Sequence, residues 1–256
     1  MRMGRALVAL AAALLSACAP LRHAVPPGPA PGGRDALLDG ARNKPVTGPR
    51  PLTCISHPTI DVWEQRIGTR GKLGAWTRES LSRGEAYLPR LRSILEDTGV
   101  PPTLALLPAI ESGFRPRVRG SKGDVGLWQL RGPTARRFGL VVNGRHDDRL
   151  QPDRATRAAA LYLRYLHAHF HDWPLALAAY NAGEGRVDRA LAGRPRATFW
   201  DLADGKRLPR LSRNFVPHFL ALARMAEGTR TCARAPLADT TRSADLRRVD
   251  FRRPGD

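Results

Sequence analysis

Leu104-Ala105-Leu106-Leu107-Pro108-Ala109-Ile110-Glu111-Ser112-Gly113-Phe114 is the stretch on which the fold turns. From Leu104 to Ile110 nearly every position is apolar, too dense for a helix with one wet face. The run therefore predicts a helix buried in a core, with Glu111 near its end. Burial disfavours an ionised carboxylate, so a glutamate at the border of such a run tends to keep its proton near neutrality and is a ready general acid. Without further context the same Glu111 could equally face solvent at a helix end or pair with Arg115.

On either side of this run the 3.6-residue period continues. Leu88, Leu91, Ile94 and Leu95 predict an amphipathic helix that stops at Gly99 and Pro101-Pro102. After Pro152, with Asp153 as the expected N-cap, Ala158, Tyr162, Tyr165, Leu166 and Phe170 predict a helix of several turns. Asp172 is expected to cap a short helix with Pro174 in its first turn, filled by Leu175 to Tyr180 and closed by Gly183 and Gly185. A last helix is expected after Ser212, with Phe215, Phe219, Leu222 and Ala223 on one face and Gly228 as its stop. Helical signals run from about Ile55 to Glu227, with no alternating strand series, internal repeat or heptad. The expected fold class is mainly α.

Composition sets the frame. The chain has 256 residues, 42 Lys and Arg against 23 Asp and Glu, and 42% hydrophobic residues, which suits one globular domain plus tails and excludes wholesale disorder. Its formal charge of +19 raises the question of nucleic acid. Only four basic residues are lysines, however, the arginines are spread along the chain, and no reader motif accompanies them, so no nucleic-acid partner is expected. A general attraction to anionic envelope polymers or lipid head groups remains.

Arg2 and Arg5 precede an apolar run, Ala6 to Leu15, too short to span a bilayer, which reads as an export signal over residues 1–17. Leu15-Ser16-Ala17-Cys18 resembles the bacterial lipobox, in which Cys18 would become the lipidated N-terminus, and Ala19 after it suggests the outer membrane. An ordinary cleaved signal with an incidental cysteine is the alternative. Residues 18–54 are rich in Pro and Gly and are expected to form a tether. In an oxidising compartment Cys54 and Cys232, which bracket the regular region, could form a disulfide or remain two buried thiols. Residues 233–256 read as a basic tail.

Two further motifs accompany Glu111. Gly120-Ser121-Lys122-Gly123-Asp124-Val125-Gly126 runs into Leu127-Trp128-Gln129-Leu130, where glycines permit close backbone approach and Trp and Gln suit contact with a sugar polymer. Taken singly, Trp128 could be core and Gln129 a surface amide. Ala179-Tyr180-Asn181-Ala182-Gly183 then puts a hydroxyl and an amide at the end of an apolar helix.

In order and spacing, Leu107–Phe114, Gly126-Leu127-Trp128-Gln129 and Ala179–Val187 resemble the three motifs of the lytic transglycosylases with a soluble lytic transglycosylase domain, and most closely the membrane-bound lytic transglycosylase D branch. The resemblance runs from about Trp63, through Arg83-Gly84, Tyr87-Leu88-Pro89 and Asp147-Asp148-Arg149-Leu150, to Phe215-Val216-Pro217. It implies a lysozyme-like catalytic domain over residues 55–232 that cleaves the MurNAc-β-1,4-GlcNAc bond of peptidoglycan glycan strands in the periplasm and leaves 1,6-anhydromuramyl ends. Glu111 would be acid and then base, and the substrate's acetamido group would stand in for the second carboxylate of ordinary glycosidases. Tyr180 would hydrogen-bond Glu111; Gln129, Asn181 and Trp128 would meet sugar; Ser112 would buttress the Glu111 helix; and the Gly126 backbone would let the glycan approach. Asp124 departs from the family pattern and leaves open a hydrolytic, lysozyme-like outcome. A non-catalytic peptidoglycan-binding scaffold is a further alternative. Relatives often append glycan-binding LysM repeats, for which residues 233–256 are too short. His167, His169 and His171 lack the partners of a metal site, and neither a GxSxG elbow nor a nucleotide fingerprint is present, so no metal or cofactor is expected.

Overall fold

The computed structural model describes residues 51–228 and Cys232. The expected export signal, Cys18, the expected tether up to residue 50 and the expected tail after Cys232 lie outside the described residues. Ten α-helices form the described region: α1 Pro58–Gly68, α2 Lys72–Gly84, α3 Leu88–Asp97, α4 Leu107–Glu111, α5 Gly132–Arg137, α6 Pro152–Phe170, α7 Trp173–Ala182, α8 Glu184–Leu191, α9 Phe199–Asp204 and α10 Arg210–Glu227. One small antiparallel hairpin, β1 Asp124–Val125 with β2 Leu130–Arg131, joins them, in the register Asp124 to Arg131 and Val125 to Leu130.

The core forms around α7. From Trp173 to Ala179 every residue of this helix is buried. A helix apolar on all sides must be enclosed, and α6, α8 and α10 pack against it. Asp172 starts it as expected, its carboxylate accepting from Leu175 N at 2.8 Å. Helix α1 presents Ile60, Trp63 and Ile67, one face at i, i+3 and i+7, and lies against α10. Among the described residues no helix is long and apolar enough to cross a membrane.

Several elements differ from the sequence reading. The apolar run from residue 104 is not one helix: Pro102–Leu106 is a 3-10 turn, and α4 begins only at Leu107. Pro108 has no N–H to return to the carbonyl of Leu104, so the run was legible as buried but not as a continuous α-helix. Gln151 occupies the N-cap position of α6 without a side-chain capping bond, with Pro152 in the first turn and Asp153 already inside the helix. Gly183 (φ +89°) ends α7, but Gly185 lies within α8. The hairpin is a strand pair that two-residue strands cannot announce by alternation. The fold also begins before residue 55: Leu52–Cys54 is a 3-10 turn with Leu52 and Thr53 buried, packed on α10. The folded region thus starts a few residues earlier than expected.

A disulfide joins Cys54 to Cys232, with Cα atoms 5.2 Å apart. Beside it Arg224 of α10 donates to the carbonyl of Ile55 at 2.6 Å and to the carboxylates of Asp61 at 3.0 Å and Glu64 at 3.5 Å. Six residues earlier on the same helix, His218 stacks on Trp63 with centroids 4.4 Å apart, and its Nε2 is buried without a partner. Burial pushes its pKa from 6.5 down to about 4. Because the folded-state pKa is the lower one, this contribution is complete above pH 6.5 and is lost as pH falls toward 4. The loss is on the order of 3 kcal/mol. Urea midpoints at pH 7 and pH 4.5 should therefore differ less in His218→Phe, which keeps the stack, than in the wild type. Equal differences would remove His218 as the source.

Candidate active site

Glu111 is the last residue of α4, and the chain turns sharply behind it. Gly113 (φ +61°) and Phe114 (φ +56°) are both left-handed, a conformation a buried phenylalanine adopts only when its surroundings impose it. Those surroundings are Arg83 and Gly84 of α2. Arg83 Nε donates to the Gly113 carbonyl at 2.7 Å. The Phe114 ring lies so close to Gly84 that a Cβ there would be 2.6 Å from it. Ser112, buried, donates its hydroxyl toward the carbonyls of Leu127 at 2.8 Å and Pro108 at 3.3 Å, tying the end of α4 to the hairpin turn. Glu111 is thus held from both flanks while its own carboxyl, half-buried, has no hydrogen-bond partner among the described residues. Burial first, and the negative charge of Asp124 second, push its pKa from 4.5 up to about 8. At neutral pH it holds a proton.

The facing wall is the hairpin. Gly126 (φ +83°) donates its N–H to the Val118 carbonyl at 2.8 Å. A Cβ on Gly126 would sit 2.0 Å from the carbonyl oxygen of Arg149. The space gained by this glycine is filled by the Arg149 segment, which corrects the expectation that it admits the glycan. Arg149 itself is buried. Its guanidinium pairs through Nε and Nη2 with the two oxygens of Asp147, each at 2.8 Å, and its Nη1 donates to the carbonyls of Gly123 and Leu130 at 2.9 and 3.0 Å. The hydrogen bonds and charge of Arg149 hold the Asp147 carboxyl below its usual range.

Gln129 is left-handed (φ +47°), and its Nε2 donates to the Gly126 carbonyl at 2.8 Å and the Val118 carbonyl at 3.3 Å. Its amide nitrogen is therefore engaged inside the loop. Trp128 is fully buried, and its Nε1 donates to Thr156 Oγ1 at 2.8 Å. A side chain so enclosed cannot form a sugar platform, so that expectation is corrected; the indole anchors the hairpin to α6. What Trp128 brings to the site is its carbonyl, which accepts from the Tyr180 hydroxyl at 2.7 Å.

Tyr180 lies near the end of α7. Its expected bond to Glu111 is replaced by the one to Trp128, yet the two side chains share one environment. Burial, then the charges of Glu111, Tyr162 and Asp124, keep the phenol well above its usual range, so it stays a donor. The Tyr162 ring lies 5.5 Å from that of Tyr180, and its hydroxyl donates to Glu184 Oε2 at 3.0 Å. Glu184 Oε1 in turn accepts from Arg137 Nη1 at 2.9 Å. Asn181 is exposed beside the site, its Oδ1 accepting from the buried Ser212 hydroxyl at 2.7 Å.

The structure thus groups Glu111, Asp124 and Tyr180 within electrostatic reach, supported by Ser112, Gly126 and the Trp128 backbone, with Asn181 at one end. The sequence reading missed Arg83, Arg149 and Glu184 as the residues that brace these groups. All three stand in stretches already singled out, where an arginine before Gly84, an arginine beside two aspartates and a glutamate after Asn-Ala-Gly were the available signals. Elsewhere, His167 stacks on Trp173 and His169 pairs with Asp188 at 2.8 Å. Among the described residues no group of three or more His, Cys, Asp or Glu is arranged to hold a metal.

Residues 93–202 match the transglycosylase SLT domain family. The membrane-bound lytic murein transglycosylase D of Escherichia coli K12 is 34% identical over 178 residues, 67% of this chain and 38% of that protein. A putative tributyltin chloride resistance protein of Alteromonas sp. M-1 is 40% identical over 112 residues, 43% of this chain and 54% of its own length. The chain therefore spans about half or less of each of these relatives. The solved complex of the 70-kDa soluble lytic transglycosylase with bulgecin A superimposes with a TM-score of 0.52 at 22% identity, covering 65% of this chain and 28% of that one. The mainly helical fold is common to both.

Proposed function

From a chain that carries a transglycosylase SLT domain at residues 93–202, we propose a lytic transglycosylase of peptidoglycan. The observation that carries this reading is Glu111: a single carboxyl at the end of a buried helix, protonated at neutral pH, with a second carboxylate, Asp124, near enough to raise its pKa further. Glu111 would donate its proton to the oxygen of the MurNAc-β-1,4-GlcNAc bond as the bond from C1 to that oxygen breaks. The substrate's acetamido oxygen would hold C1 meanwhile. As carboxylate, Glu111 would then accept the proton of the muramyl C6 hydroxyl while that oxygen bonds to C1, closing the 1,6-anhydro ring and restoring the acid. No water is consumed. Tyr180 keeps the Trp128 carbonyl, and with it the hairpin, in place opposite Glu111; Asn181 and Gln129 are the polar groups available to sugar substituents at the site's ends.

The similarity to a membrane-bound relative supports placing the protein in the periplasm. Anchoring through lipidated Cys18 to the outer membrane, a tether reaching to about residue 50 and a catalytic domain closed by the Cys54–Cys232 bridge complete the proposal.

Asp124 gives one specific competitor, a hydrolase in which that carboxylate positions water. Mass spectrometry of products from the purified protein and peptidoglycan sacculi separates the two. Anhydromuramyl ends are expected. Reducing muramyl ends would establish hydrolysis, and binding without products would establish a scaffold.

A further inference from the structure

Beyond the Glu111 site lies a cluster of cations that the reading so far leaves unused. An open pocket lies between α8 and the segment after α9, lined by Arg186, Arg189, Lys206 and Arg207 around a floor that includes Leu208 and Pro209. All four cations are exposed, and none makes an ion pair among the described residues. Three acidic residues of the same elements are engaged elsewhere, Glu184 with Arg137 and Tyr162, Asp188 with His169 and Asp201 with Thr198, and the exposed Asp204 at the end of α9 leaves the cluster in excess of positive charge. Like charges gathered without counter-ions repel, and an anion bound among them would relieve that repulsion.

Local backbone geometry supports the same reading. Helix α9 ends in a turn closed by Lys206 N to the Ala203 carbonyl at 3.0 Å and Arg207 N to the Leu202 carbonyl at 2.9 Å. The residue at the left-handed position of such a turn is ordinarily glycine. Here Gly205 precedes it and Lys206 occupies it, at φ +52°. A lysine stands in strain at a position where glycine would sit freely, and its charge lines the pocket.

The pocket is linked to the candidate active site along the chain. Arg186 follows within a few residues the Gly183 that ends α7, and Pro209 precedes Ser212, whose hydroxyl donates to Asn181 Oδ1 at 2.7 Å. We propose that this pocket is a subsite for carboxylates of the peptides borne by the glycan strand, so that strands carrying peptides are held in preference to bare ones. The proposal rests on the peptidoglycan reading above. Guanidinium forks match carboxylate geometry, and a ligand covalently attached to the glycan beside Asn181 is the anion most directly within reach.

The test is binding of the full chain to immobilised glycan strands that carry their peptides and to the same strands after an amidase has removed them, at low salt, with sacculus cosedimentation as the measure of overall wall binding. The wild type should bind the peptide-bearing form about tenfold more tightly, as two or three screened charge contacts allow. Arg186→Gln/Arg207→Gln should bind both forms alike, whereas the equal charge change at the distant, exposed Arg70→Gln/Arg157→Gln should leave the preference intact. Equal binding of both forms by the wild type, a preference surviving in the pocket variant, or its loss in the distant variant would each overturn the proposal. Vesicles containing phosphatidylglycerol supply the other source of anionic oxygens. Loss of vesicle binding in the pocket variant with an intact preference for peptide-bearing strands would assign the pocket to phosphate and overturn it likewise. Because binding is the readout, products measured from the same wild-type samples test the transglycosylase reading separately.

Discussion

Glu111→Gln is expected to lower turnover of sacculi by about a thousandfold or more while leaving the protein folded and able to bind them. The amide is nearly isosteric with the carboxyl but cannot give up a proton and take one back. The same substitution carries a stability signature that a merely structural residue would not. The folded-state pKa of Glu111, about 8, is above the ordinary 4.5, so its protonated form is the one the fold favours. Wild-type stability is therefore complete below pH 4.5 and declines as pH rises toward 8, where ionisation forces a charge into a half-buried site. Glutamine never ionises. At pH 7 the variant should be the more stable protein, by on the order of 3 kcal/mol, and the two should converge near pH 4. Turnover by the wild type should fall as pH rises through 8, since the acid form is consumed. Urea midpoints and a pH–rate profile measure both. A variant that is less stable at pH 7, or that retains turnover, would end the assignment.

Other parts of this site were readable to different degrees, and the reasons are physical. Burial of the 104–110 run, the caps at Asp172 and Gly183, and the face of α3 follow from local patterning, so the sequence sufficed for them. The partner of Tyr180 did not follow, because a hydroxyl near a carboxyl can bond to any acceptor that packing presents, here a backbone carbonyl of another segment. Trp128 was ambiguous for a related reason: an indole suits a sugar face and a core equally, and only Thr156 on a distant helix, supplying its acceptor, decides between them. Arg149 was half legible: its pair with Asp147 is local, but its two bonds to the carbonyls of Gly123 and Leu130 have no sequence signature. The two left-handed residues after Glu111 depend on Arg83 and Gly84, about thirty positions earlier, a coupling that periodicity cannot register.

The Gly126 and Arg149 contact makes the strongest claim about architecture, and a pair of glycines tests it. Gly123 (φ +79°) and Gly126 (φ +83°) flank β1 with nearly the same φ. They differ in surroundings: a Cβ on Gly123 meets nothing within 4 Å, whereas one on Gly126 falls 2.0 Å from the Arg149 carbonyl oxygen. Both alanine substitutions incur the left-handed penalty of about 1–2 kcal/mol. Only Gly126→Ala adds a steric overlap with backbone, which no side-chain rotation can relieve. It should cost about 4 kcal/mol or more, or force the Arg149 segment away. If that segment moves, Arg149 releases the carbonyls of Gly123 and Leu130, the hairpin loses its register, and Asp124 and the Trp128 carbonyl shift relative to Glu111. Turnover should then collapse in Gly126→Ala and persist in Gly123→Ala, and the pH at which remaining activity falls should drop below 8 in the former, because the hairpin no longer shields Glu111 or holds Asp124 beside it. Equal stability losses in the two variants would show that conformation alone, and not the close approach to Arg149, requires glycine at residue 126.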